Sequence, residues 1–71
     1  MCALFDRRRR ILRRLIQKMQ SFYLSEIEAA YASKTGGLRH IDGFVTVKKY
    51  VANLEESGYL RRESDRYHVV A

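Results

Sequence analysis

Seventy-one residues, 46% hydrophobic and 31% charged, with neither proline nor tryptophan, indicate one small helix-rich domain over 1–71 rather than a disordered tail. The net charge of +6 lies wholly in residues 1–20, where six arginines and one lysine stand against Asp6; residues 21–71 balance seven basic against seven acidic side chains. The single cysteine, Cys2, excludes an intrachain disulfide and a cysteine-based metal site, and no apolar run approaches the ~18 residues of a membrane span.

Asp6 is expected to cap a long first helix, about 6–20, on which Ile11, Leu12, Leu15, Ile16 and Met19 recur at helical spacing. Arg7, Arg10, Arg13, Arg14 and Gln17 fall across its back, while Arg8 and Arg9 sit at its start, in a first turn expected to project past the core. Such a cluster repels itself unless an anion meets it, so a polyanionic partner is expected ahead of a merely solvated face. The opening residues place charge after a very short apolar stretch, the reverse of a signal peptide. The expected location is intracellular, in the cytoplasm of the source cell or of a host. Residues 1–5 are expected to form a mobile or dimer-forming N-terminus. Cys2 is read as a mobile thiol; in the alternative, Cys2, Leu4 and Phe5 pack on a second copy and a symmetric disulfide forms.

Ser21 interrupts the first helix, and Phe22-Tyr23-Leu24 is short and extended in preference. Ser25 with Glu28 has the spacing of a capping box, which predicts a second helix over about 26–34 with Ile27, Ala30 and Tyr31 on its apolar face and Gly36-Gly37 at its end. Residues 35–43 form a connector from which Leu38 and Ile41 can dock on the core. The helical period returns from Asp42 or Thr46. Phe44, Val47, Tyr50, Val51 and Leu54 share one side of this third helix, and Val45, Thr46, Lys49, Ala52 and Asn53 the other. Gly58 closes it. Tyr59–Arg62 and Tyr67–Val70 then read as two short strands joined through Glu63–Arg66, with Ser64-Asp65 at the tip. The turn is either tight or a four-residue loop; Leu60, Tyr67 and Val69 face the core, and Arg61, Arg62 and Arg66 lie around the tip.

Catalytic and cofactor chemistry finds no footing in these motifs. Thr35-Gly36-Gly37 lacks the Gly-Lys-Ser/Thr ending of a phosphate loop. His40 and His68 are isolated, and the glutamate pairs Glu26/Glu28 and Glu55/Glu56 sit at helix ends, where caps and solvent account for them. No nucleophile, base and orienting group assemble. No enzyme activity, cofactor, metal or small-molecule ligand is expected.

The order helix, brief strand, helix, connector, helix, hairpin, together with Leu54-Glu55-x-x-Gly58-Tyr59-Leu60-x-Arg62 and then Tyr67 and Val69, resembles winged helix-turn-helix DNA-binding domains such as those of MarR-type and ArsR-type transcriptional regulators. The resemblance covers about 11–70 and is strongest over 47–70. It implies an α+β winged helix, a three-helix helix-turn-helix core with a short C-terminal β-hairpin wing, whose third helix enters a major groove. On that footing Thr46 and Asn53 would hydrogen-bond base edges, Val45 or Ala52 would meet a thymine methyl, and Lys48 and Lys49 would hold phosphates or a guanine. Arg61, Arg62 and Arg66 of the wing would reach flanking backbone or minor groove, where Glu63 and Asp65 oppose them. Arg7, Arg10 and Arg14 of the first helix, with Arg39 of the connector, complete the expected contacts to double-stranded DNA.

The sequence departs from the family pattern in two respects. The connector is several residues longer than the usual tight turn, and no effector domain, long C-terminal dimerisation helix or metal-sensing cysteine set is present, so regulation is expected to come from elsewhere. The function expected is that of a sequence-specific regulator of transcription acting as a homodimer, since two copies on half-sites gain affinity and specificity that one small module lacks. The alternative is a winged-helix docking module whose arginine helix grips an acidic protein; for the wing alone, the alternative is a purely structural hairpin that closes the core and bears a mixed-charge tip. RNA binding ranks third, because the strands lack the exposed-aromatic motifs of RNA modules.

Overall fold

In the computed structural model, which describes residues 3–70 and side chains from Arg7 onward, the first element is the helix α1, Ala3–Met19. It starts three residues before Asp6, which therefore lies within the helix instead of capping it; Ala3 and Leu4 are strong helix formers and no glycine or proline interrupts them. Cys2 and the side chains of Leu4 and Phe5 lie outside the described residues, and with them the expected N-terminal packing. Leu12 and Ile16, one turn apart, are fully buried, and Ile11, Leu15 and Met19 pack half-buried beside them. The helix ends at Gln20, whose positive φ of 65° turns the chain away.

The next three residues form β1, Ser21–Tyr23, which passes without a loop into α2, Leu24–Thr35. The chain therefore turns at Tyr23, and the box expected at Ser25 and Glu28 moves two residues earlier: the Tyr23 amide donates to Glu26 Oε1 at 2.8 Å. Glu26 thereby occupies one of the amides at a helix start and places negative charge near its positive end. Ile27 and Tyr31 are the buried side chains of α2. Gly36, in the left-handed conformation with φ 75°, stops the helix, and the Gly37 amide donates back to the Ala32 carbonyl at 2.8 Å.

The connector is a built structure rather than a slack loop. The buried Tyr31 hydroxyl donates to the His40 carbonyl at 2.8 Å, Ile41 drops into the core, and the Ile41 amide donates to the Val45 carbonyl at 2.8 Å. His40 and Thr46 pair across this small antiparallel loop. At its tip Asp42 Oδ1 accepts from the amides of Phe44 at 2.8 Å and Val45 at 2.9 Å, a carboxylate-held turn. This turn breaks the helical phase before the third helix starts. Phe44, expected on the buried side, is 96% exposed, and Val45, expected outside, packs half-buried against the core.

The third helix, α3, runs Val47–Glu56 with Thr46 as its N-cap; Thr46 Oγ1 accepts from the Lys49 amide at 3.0 Å. Val47, Val51 and Leu54, at i, i+4 and i+7, bury its inner face. Gly58, φ 88°, redirects the chain, and the Tyr59 amide returns to the Leu54 carbonyl at 3.0 Å. Strands β2, Leu60–Glu63, and β3, Arg66–Val69, follow as a hairpin whose turn is the tight one: Glu63 pairs with Arg66 and Ser64, at φ 57°, takes the positive-φ position.

β1 adds to the hairpin on the β3 side, giving an antiparallel sheet of order β1-β3-β2. Phe22 stacks on its cross-strand partner Tyr67 with ring centroids 5.7 Å apart, which ties the wing base to the helices. The core so closed comprises Leu12, Ile16, Phe22, Ile27, Tyr31, Ile41, Val47, Val51, Leu54, Leu60 and Tyr67, and among the described residues no charged side chain is buried. Three helices and a hairpin in this order, over the described residues, form a winged-helix arrangement. None of these helices is long and apolar enough to cross a membrane.

Candidate nucleic-acid interface

With Val47, Val51 and Leu54 fixed inward, helical geometry turns Lys48, Lys49, Ala52 and Asn53 outward, and all four are exposed. Asn53 keeps its amide at the surface, and the two lysines stand on the first turn. Thr46 is half-buried with its hydroxyl oxygen committed to the cap, and Val45 has turned to the core; neither presents a free side chain as the four do. The Val47 amide donates to the Arg39 carbonyl at 3.0 Å, fixing the backbone of this exposed residue beside the start of α3. Lys48, Lys49 and Asn53 thus form a polar outer side of α3, basic on its first turn and closed at its far end by exposed Glu56, while the Arg39 side chain edges a hollow against Ser25, Glu28, Ala29 and Ala32 of α2.

The wing abuts the other end of α3, but its cations do not cluster around the tip as expected. Arg61 and Arg62 are neighbours on a strand, so they point to opposite faces of the sheet. Arg62 Nε lies 3.9 Å from Glu55 Oε2 on α3, a surface pair worth about 0–1 kcal/mol. Arg66 lies over the Tyr23 ring at 5.6 Å, and Glu63 is held by His68, whose Nε2 sits 3.4 Å from Glu63 Oε1. Arg61 is exposed and makes no ion pair among the described residues.

The arginines of α1 divide by side. Arg13, expected on the solvent-facing back, is half-buried: Nη1 donates to the Tyr50 hydroxyl at 3.4 Å, and the guanidinium lies 4.6 Å from the centroid of the Tyr59 ring. The hydrogen bond that Arg13 donates to Tyr50 raises the Arg13 pKa, with desolvation opposing it. Arg8 reaches the connector, donating to the Ile41 carbonyl at 3.5 Å. These two arginines strap α1 to the elements around α3. Arg10 is exposed and shares a shallow hollow with Arg9, Arg13, Arg14 and Gln17, on the flank of α1 that Arg13 turns towards α3 and the wing. Arg7 and Arg14 also edge the opposite flank, against α2, where Ile11 and Leu15 floor a crevice beside Lys18 and Lys34.

The chain matches no protein-family model, no curated protein and no solved structure. Among the described residues no three His, Cys, Asp or Glu side chains gather where a metal ion could sit. Sequence reasoning missed the strapping role of Arg13, for which tyrosine at 50 and 59 was the available signal, and that of Arg8, whose partner is a backbone carbonyl that leaves no residue signal; it also missed the exposure of Phe44, for which Asp42 two residues earlier was the cue.

Proposed function

We propose that the protein is a sequence-reading double-stranded DNA-binding protein, non-catalytic and acting in transcriptional regulation as a homodimer. The observation that carries this reading is the outer side of α3: in a winged-helix arrangement it is exposed, carries two lysines on its first turn with Glu56 at the far end, and is provided with an amide at Asn53 suited to the adenine edge. Lying in a major groove about 12 Å wide, α3 directs Asn53 at bases while Lys48, Lys49 and Arg39 hold phosphates or a guanine. Arg61 extends the contacts from the wing, and Arg10, on the α3-facing flank of α1, adds a backbone contact. Arg7 and Arg14 contribute long-range attraction. Arg62 and Arg66 reach DNA by giving up surface interactions that cost little to break.

A second reading has one specific observation in its favour. The crevice between α1 and α2 has an apolar floor, Ile11 and Leu15, and a cationic rim, Arg14, Lys18 and Lys34, which suits an acidic segment with apolar side chains. On this reading the domain docks a protein.

Fluorescence anisotropy with a pool of random duplexes across a salt series, followed by sequencing of the bound fraction, separates the two. DNA readout gives log K falling steeply with log salt and enrichment of a two-fold symmetric site; for a docking module, duplexes fail to bind even at low salt.

A further inference from the structure

We infer that Phe44 is the apolar reading residue of the interface, and that its target is the C5-methyl of a thymine in the groove entered by α3. The inference rests on the DNA-binding reading and names a contact the sequence assigned to Val45 or Ala52. Val45 faces the core, whereas Phe44, one residue earlier, is 96% exposed.

The exposure is not the product of a loose segment. The Phe44 amide is bound to Asp42 Oδ1 at 2.8 Å, the Val45 amide to the same oxygen at 2.9 Å, and the loop is closed below by Ile41, buried to 2% exposure, and by the His40–Thr46 pair. The ring is thus presented on a braced tip, and little backbone freedom remains to be lost when it meets a partner. Its surroundings select that partner. Phe44 stands two residues before the Thr46 cap, just ahead of the α3 turn that carries exposed Lys48 and Lys49, while the Asp42 carboxylate is turned into the loop. An apolar ring held next to the basic first turn of a helix matches a polyanion with a local apolar feature. In a duplex approached by α3, the apolar feature in the same groove is the thymine methyl, which phenylalanine can cover without needing a donor or acceptor. Recognition helices make base contacts near their N-terminal ends, where Phe44 sits.

The test uses the full chain and short duplexes carrying the enriched sequence, with each thymine replaced in turn by deoxyuridine, which deletes only the methyl. The wild type is expected to lose about fourfold in affinity at one thymine per half-site, the worth of one buried methyl. Phe44→Ala is expected to bind the thymine duplex as weakly as the wild type binds the uridine duplex, and to be indifferent to the replacement, with an unchanged circular dichroism melt. Equal binding by Phe44→Ala with the uridine sensitivity retained overturns the inference while leaving DNA binding in place. So does salt-dependent binding without sequence enrichment, and so does loss of self-association, seen by sedimentation, with an unaltered uridine profile. Failure of the wild type to bind any duplex overturns the inference together with the reading beneath it.

Discussion

Asn53 and Arg10 are both exposed polar residues, yet on the proposed DNA-binding reading they would meet a duplex differently, and their removal should look different. Asn53→Ala is expected to cost about tenfold on the preferred sequence and almost nothing on others, flattening preference at one base pair, because a bidentate amide is worth about 1–3 kcal/mol of discrimination. Arg10→Ala should weaken all duplexes alike and reduce the salt slope by about 0.9, the release of one condensed counterion. Competition binding at several salt concentrations measures both. Arg13 belongs to a third kind. With its guanidinium over Tyr59 and its Nη1 on the Tyr50 hydroxyl, Arg13→Ala should lower stability in urea by about 1 kcal/mol. Its effect on DNA should follow from the repositioning of α1 and not from a lost phosphate contact.

At the scale of elements, α3 and the connector before it act as one piece. Thr46 caps the helix and also pairs with His40 across the loop that Asp42 holds. Thr46→Ala and Asp42→Ala should each cost about 1 kcal/mol, and together less than their sum, because the first substitution already loosens the turn that the second supports. Chemical denaturation of the two single variants and the double variant measures the coupling. The helix ends were legible from punctuation: Gly36-Gly37 and Gly58 mark ends that the structure keeps, and the 3.6-residue period found Val47, Val51 and Leu54, whereas both hairpin strands reach one residue closer to the turn than expected, taking in Glu63 and Arg66. Periodicity fails where its premise does. It assigns faces only within a continuous helix, so extending the phase of α3 back past Thr46 exchanged Phe44 with Val45. Periodicity also gives the side of a helix and not the neighbour met there, which is why Arg13 read as solvent-facing although Tyr50 and Tyr59 await it. The third strand of the sheet was foreseen as an extended Phe22-Tyr23-Leu24, one residue late, because the chain enters α2 directly from the strand.

For the molecule as a whole, the buried Tyr31 joins α2 to the connector and sets an alkaline limit. Burial pushes its phenol above the ordinary 10.0, partly opposed by the positive charge of Arg8. In this range the unfolded chain gives up the proton first, so it binds fewer protons than the native state and stability falls as pH rises. The contribution is therefore whole below about pH 10 and is lost as pH climbs from there through the folded-state value. Tyr31→Phe should remove that alkaline dependence while costing about 1 kcal/mol near neutrality, since the hydrogen bond to the His40 carbonyl disappears. Thermal melts between neutral pH and the alkaline range distinguish the two terms.

The ten residues of α3 also set how much a single copy can specify. At 1.5 Å per residue the helix is about 15 Å long, and in the groove that the proposed reading gives it, it would lie along roughly four base pairs. Four positions hold about eight bits of information, so such a word recurs by chance every few hundred base pairs, far too often to name one address in a genome. Two copies read a word twice as long, which is correspondingly rare. The shortness of this one helix therefore makes pairing, with itself or with another reader, the step at which a locus would be chosen.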